Sequence, residues 1–517
     1  MRIVPEPYSI IRREGSFNFS RPLQTMVNTP VLSERVALFI ADAERWGTCV
    51  FDAPAPRVAT SSGLIPDGTI AFVIDRSDET RYGPEGYDID VSAKAIRCSA
   101  ATPEGIFYAG RTLLQLLMEY RLSQELPKVE IFDKPEFSWR GAMLDSSRHF
   151  QKPEDIRRFI DLLAFHKLNV FHWHLSDDQG WRVEILGKPS LAKTGSRRKK
   201  TLIGHHSMKP WRYDEKSYGG SYSQEDIREI VEYAALRGVS ILPEIDIPGH
   251  TQAMIAAYRE LGTFKDKINP ACEWGIKEFL LDPTDKTMDF LKEVFAEVCG
   301  LFPFPYVHIG GDEAVKNQWR ASARVQLRIG ELGLADEEAL QGWMLRRLEE
   351  FLASKGKKMI GWDEILEGGP RASTAVMSWR GSEGAVLAAK NGHDTVMASK
   401  EAYYLDYYQW DPATQPLAIG GLTTAERTYS FDPVPADFNS EDKKHLLGLQ
   451  VQLWTEYMPN MDAVEYMAFP RLCAASESAW LPKERRDWKR FKAAWQVHRQ
   501  RLDKMGVGYY NGPLEQK

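Results

Sequence analysis

The segment GAMLDSSRHFQKPEDIRRFIDLLAFHKLNVFHWHLSDD, residues 141–178, carries the grammar that most of the chain repeats. Gly141–Ser146 and Asn169–Leu175 are short apolar runs. They are too continuously hydrophobic for a half-exposed strand, and suit strands covered on both faces. Between them Pro153–His166 has helical periodicity, with Pro153 at a first helical position, where a missing N–H costs nothing. Strand, helix, strand in this order predicts a parallel crossover.

The same alternation continues downstream. Further strands are predicted at Val239–Asp246, Tyr306–Gly310, Lys358–Trp362, Ala375–Trp379, Thr395–Ser399 (with a possible extension to Asp406) and Leu447–Trp454. Helical stretches at Gln224–Arg237, Met288–Cys299, Glu338–Ser354 and Glu383–Ala389 separate most of them, and Ser223 with Asp226 forms a capping pair for the first. Eight such units predict an α/β fold, a (β/α)8 TIM barrel, over residues 136–517 with helices at its C-terminal end. An open doubly wound sheet is the alternative, but no GxGxxG loop follows the first strand. Residues 1–135 read differently, as a small accessory α+β domain. Its strands are placed at Thr69–Asp75, Tyr87–Val91 and Ala95–Ser99, its helices at Ser33–Trp46 and Thr102–Met118.

Composition narrows the function. The 517 residues hold 66 Lys and Arg against 72 Asp and Glu, a net charge of −6, which argues against nucleic acid as a partner. No apolar run approaches the ~18 residues of a membrane span. Five scattered Cys form neither a disulfide framework nor a zinc pattern. The start, MRIVPEPYSI, lacks the apolar stretch of a signal peptide. The favoured expectation is a periplasmic or secreted mature form without its leader, with a cytoplasmic protein as the alternative; oligomeric state is left open. Fifteen Trp and 20 Tyr suit cores, or flat ligands such as sugars.

In such barrels chemistry gathers at the C-terminal ends of the strands. Those ends carry Arg148; Asp177 and Asp178; Asp246 and His250; Asp312 and Glu313; Trp362, Asp363 and Glu364; Trp379; Tyr404 and Asp406; Trp454 and Glu456. A single acidic strand end is commonly a helix cap, but acids and aromatics at nearly every end predict a carbohydrate pocket. Carboxylates and Arg bond hydroxyls, while aromatics cover apolar ring faces. In HIGGDE, residues 308–313, two glycines permit close backbone approach and two adjacent acids enter the mouth. A Gly-Gly turn before an N-capping Asp accounts for the same string in structural terms alone. His172 and His174 share a strand face at metal-ligand spacing, as in metal-dependent barrel hydrolases. The preferred reading makes them barrel-lining histidines bonded to carboxylates. A non-catalytic sugar-binding protein is a further alternative, and residues alone leave open a carboxylate nucleophile such as Asp177 or Asp246.

These strings together resemble glycoside hydrolase family 20, the β-N-acetylhexosaminidases. The likeness rests on WRG (139–141), LDSSRHF (144–150), KLN with HWHLSDDQGWR (167–182), PEIDIPGH (243–250), HIGGDE, GWDE (361–364), YLD (404–406) and LWTE (453–456), in family order. It implies exo-acting, retaining release of terminal β-linked N-acetylglucosamine or N-acetylgalactosamine from glycans or glycoconjugates. The substrate's own acetamido oxygen would attack the anomeric carbon to give an oxazolinium intermediate, an exception to the two-carboxylate scheme. By the same resemblance Glu313 is the general acid and then base, Asp312 orients the acetamido group, and Tyr404 bonds its oxygen. Trp362, Trp379 and Trp454 would wall the pocket. Arg148, Asp406 and Glu456 would hold outer hydroxyls. His250 with Asp177 or Asp178 would tune the acid, and neither metal nor cofactor is called for.

Overall fold

The computed structural model describes residues 1–59 and 65–515. Its first part is a seven-stranded mixed sheet of β1 (Ser9–Asn18), β2 (Gln24–Val27), β3 (Arg57–Val58), β4 (Thr69–Ile74), β5 (Tyr87–Val91), β6 (Ala95–Ala100) and β7 (Glu125–Asp133). The spatial order is β1-β7-β5-β6-β4-β2-β3. Helices Ser33–Arg45 and Pro103–Tyr120 pack on it. Thr102 caps the second by accepting from Gly105 N–H, and Pro103 occupies its first turn. That helix is buried almost along its length, because it also meets the C-terminal helix Trp488–Met505. The three expected strands are present. The edge strand β1 escaped prediction because residues 11–15 face solvent and carry Arg12, Arg13 and Glu14. Its partner β7 carries Pro127, opposite Ser16, and β1 shifts register between Arg12 and Ser16.

The eight predicted barrel strands are the eight observed: β8 (Trp139–Asp145), β9 (Val170–His174), β10 (Ser240–Glu244), β11 (Tyr306–His308), β12 (Lys358–Trp362), β13 (Ala375–Ser378), β14 (Thr395–Met397) and β15 (Leu446–Leu453). All pair in parallel, and β15 closes on β8 from Gly448↔Trp139 to Leu453↔Leu144. The chain is therefore a TIM barrel with an N-terminal sheet domain, and the open doubly wound alternative is excluded. The seventh strand breaks after Met397 and resumes briefly, Gln452 N–H donating to Tyr403 O and Leu405 N–H to Gln452 O. This second piece carries Tyr404 to the barrel mouth. No helix among the described residues is long and apolar enough to cross a membrane.

A buried polar knot ties the sheet to the barrel. Lys167, fully buried, donates to Asp133 Oδ2 and Tyr87 OH, each at 2.8 Å, and lies 4.4 Å from the Trp480 ring. Asp133 Oδ1 accepts from Trp480 Nε1 at 2.7 Å and from Tyr8 N–H at 2.9 Å. Nearby, Arg140 makes a two-pronged pair with Glu85, both contacts at 2.8 Å.

Candidate active site

The fourth barrel strand ends at His308 and the chain turns through Gly310 and Gly311, with φ of 66° and 100°. A Cβ on Gly310 would stand 1.7 Å from Asp246 Oδ1, so glycine is required there. Gly311 N–H donates to that same oxygen at 3.2 Å. The turn thus rides on Asp246 and delivers Asp312 and Glu313 to the mouth. Glu313 has φ 44°, a left-handed backbone that side chains adopt at a cost. The neighbouring Ile247–Pro248 bond is cis, and His250 beyond it has φ 51°.

Around these acids lies a cavity of about 230 Å³ lined by Arg148, Asp177, His250, Gly275, Ile276, Asp312, Glu313, Trp379, Tyr404, Asp406, Tyr407, Ile419, Trp454 and Glu456. Ten of the twelve residues singled out from sequence line it. The other two stand just behind. Trp362, only 1% exposed, lies below the lining with its indole N–H on Glu244 Oε1 at 3.0 Å and its ring 5.9 Å from Trp454. Asp178 is buried and accepts from Gln252 N–H at 3.0 Å. Trp379 stacks on Tyr404 at 6.0 Å, its N–H fixed by Glu364 at 3.0 Å.

The acids are coupled. Burial raises Asp312, His250 opposes this and the charge of Glu313 adds to it, leaving the carboxyl at about 6. Asp246 is pushed far up by burial and then by the Asp312 charge, so of the two neighbouring carboxyls it is the harder to ionise. Asp312 Oδ1 is buried without a hydrogen-bond partner among the described residues, as are Asp406 Oδ1 and Glu456 Oε2. Burial drives Asp406 and Glu456 upward as well.

His250 joins this set to a deeper one. Its Nε2 is 3.4 Å from Glu313 Oε2, and its Nδ1 is 3.2 Å from Asp177 Oδ1 and 3.3 Å from Asp178 Oδ2. Only the Asp177 contact has hydrogen-bond geometry. Arg148 pairs with Asp177 at 2.8 Å and Asp145 at 3.3 Å, donates to Gln179, and lies 5.0 Å from the Trp454 ring. Its fork is thereby fixed before any ligand arrives.

His172 and His174 do share a face, and what they face is Glu244. His174 Nδ1 bonds Glu244 Oε2, His172 Nε2 is 3.0 Å from that oxygen, and His308 Nδ1 is 3.0 Å from Oε1. Among the described residues, donors of His172, Glu244 and His308 lie within 4.8 Å of one another, as do those of Asp177, Asp178 and His250, of Asp246, His250 and Asp312, and of His166, Cys473 and His498. Glu244 and the loop residues Gly275, Ile276 and Ile419 were not anticipated as site residues. The first sits inside an apolar strand, and the others lie in irregular segments whose pattern carries no signal.

Residues 137–483 match the family description "Glycosyl hydrolase family 20, catalytic domain", and residues 1–134 match "Glycosyl hydrolase family 20, domain 2". A beta-hexosaminidase of Porphyromonas gingivalis is 36% identical over 99% of this chain. One of Vibrio furnissii is 38% identical over 76% of it. The chain spans 64% of the length of each of these two relatives. The crystal structure of the family 20 exo beta-N-acetylglucosaminidase of Vibrio harveyi in complex with N-acetylglucosamine superposes with a TM-score of 0.83, at 31% identity, covering 99% of this chain and 78% of that one.

Proposed function

As the chain belongs to glycosyl hydrolase family 20, we propose that it is a β-N-acetylhexosaminidase, an exo-acting retaining hydrolase of terminal β-linked N-acetylhexosamine that works by substrate assistance. The observation that carries this reading is the pairing of Asp312 with Glu313 on the Gly310–Gly311 turn, at a cavity otherwise walled by Trp379, Tyr404 and Trp454.

In this reading Glu313, whose side chain is 32% exposed, protonates the leaving oxygen and later takes a proton from water. Asp312 accepts from the acetamido N–H through its unpartnered oxygen and stabilises charge as the oxazolinium ring forms. Protonated Asp246 beside it keeps that charge on Asp312. Tyr404 stays neutral, being raised far above its ordinary value by burial, and donates to the acetamido oxygen. Trp379 and Trp454 flank the sugar, with Trp362 as the layer beneath. Asp406, Glu456 and Arg148 take the outer hydroxyls. The partner is a glycan or glycoconjugate ending in β-linked N-acetylhexosamine.

An activity panel of aryl β-N-acetylglucosaminide, β-N-acetylgalactosaminide, 6-sulfo-β-N-acetylglucosaminide and β-glucoside tests the proposal. The acetamido sugars should turn over and the glucoside should not. Comparable turnover of the glucoside would remove substrate assistance.

A further inference from the structure

Behind Glu313 runs a line of alternating acids and imidazoles: Glu313, His250, Asp177, His174, Glu244. Its contacts are 3.4 Å from Glu313 to His250, 3.2 Å from His250 to Asp177 and 2.9 Å from Asp177 to His174, ending in the close His174–Glu244 bond. The inner half is wholly buried, with Glu244 and His174 at 0% exposure and Asp177 at 2%.

Each ring nitrogen of His174 faces a carboxylate oxygen: Nδ1 meets Glu244 Oε2 and Nε2 meets Asp177 Oδ2. An ionised carboxylate only accepts, so both nitrogens must donate, and an imidazole with two N–H groups is a cation. The surroundings agree. Asp145 adds a third negative group, and the His174 and Trp454 rings meet in a T shape with centroids 4.9 Å apart. Burial alone would lower the imidazole, yet Glu244 and Asp177 bring it to about 10. Glu244 is held far below the usual carboxylate range by His174, then His308 and His172, and Asp177 likewise by Arg148 first, then His250 and the His174 bond.

We propose that His174 is a positioning residue of the acid–base cycle: a resident imidazolium, anchored by Glu244 in the barrel interior, that joins Arg148 in holding Asp177 as an anion and so governs the aim and charge of Glu313 through His250. The inference rests on Glu313 being the acid and base. Glu244 has a second hold on the site, since it also fixes the Trp362 indole and touches His308, whose Nδ1 accepts from Gly310 N–H at 3.1 Å. One interior carboxylate thereby reaches the acid, the layer beneath the pocket and the turn that carries both catalytic carboxyls.

The test is His174→Gln, assayed on aryl β-N-acetylglucosaminides of good and poor leaving ability across pH. Because His174 is absent from the cavity lining, KM should stay within about twofold while kcat falls about tenfold or more, most on the poor leaving group. Removing a positive charge raises the proton affinity of nearby acids, so the alkaline limb of kcat/KM should move to higher pH. A folded variant with native kcat and an unmoved limb would overturn the proposal. If the variant does not fold, neutron diffraction of the native enzyme at neutral to mildly alkaline pH decides. Deuterium on both ring nitrogens of His174 is expected, and deuterium on only one overturns it. A native protein inactive on every acetamido substrate would instead refute the glycosidase assignment.

Discussion

His250 and Glu313 approach to 3.4 Å, and both hold left-handed backbone, with φ of 51° and 44°. Neither is glycine or asparagine, the residues that take this conformation cheaply. The contact is therefore made by two strained residues, and the strain sits where the acid must be aimed.

Glu313→Gly should accordingly be more stable than Glu313→Ala by about 1 kcal/mol, since only glycine relieves the backbone. Thermal unfolding of the two variants, both inactive on poor leaving groups, measures the difference. Equal melting temperatures would mean that the left-handed turn carries no strain.

Glu313→Gln keeps shape and loses the proton. Its activity should drop by roughly 10²-fold or more on glycosides with poor leaving groups, and far less on activated aryl ones, which depart without protonation. Identical losses on both would remove Glu313 from the acid role.

Asp312 must be ionised to serve the acetamido group, so kcat/KM should fall as pH drops through about 6, and Asp312→Asn should abolish both that limb and most activity. Stability runs the other way. The folded carboxyl sits above its ordinary 3.8, so the fold binds this proton more tightly than the unfolded chain does. The favourable contribution is complete below the unfolded value and is lost as pH rises through the folded one. Asp312→Asn should therefore melt higher than the native protein at pH 7 to 8, by roughly 2–4 °C, with the gap closing near pH 4. A variant less stable at every pH would contradict the buried-charge account.

Gly310→Ala would drive a methyl into Asp246, whose oxygen stands 1.7 Å from the required position. Loss of about 10²-fold in kcat/KM is expected from misplacement of the turn, together with lower stability. Adding Asp246→Ala should recover part of the stability and none of the activity. Full recovery of activity in the double variant would show that Asp246 only fills space.

Much of this was legible in the sequence because buried parallel strands are continuous apolar runs, and their ends are where polar residues reappear. His308 to Glu313 alone reads equally as a capped turn, and it was the acids and aromatics at nearly every other strand end that pointed to chemistry. Ser9–Asn18 could not, because an edge strand exposes Arg12 and Arg13 and shows no apolar alternation. The role of Glu244 was hidden for the opposite reason. Pro243 and Glu244 lie within an apolar strand, and only barrel closure brings His172, His174 and His308 around one carboxylate. Ile276 and Ile419 reach the cavity from irregular segments, which no periodicity announces.

Lys167 bears on how such a chain can change over generations. The lysine belongs to the barrel half and its counter-charge, Asp133, to the sheet half, with neither exposed. Replacing Asp133 alone, with the sheet still in place, would strand a buried ammonium group without its partner, a loss of about 3–5 kcal/mol. Positions 133 and 167 can therefore drift only as a pair for as long as the sheet stays packed on the barrel. A mutation in one part is thus answerable to a residue in the other through a single buried ion pair.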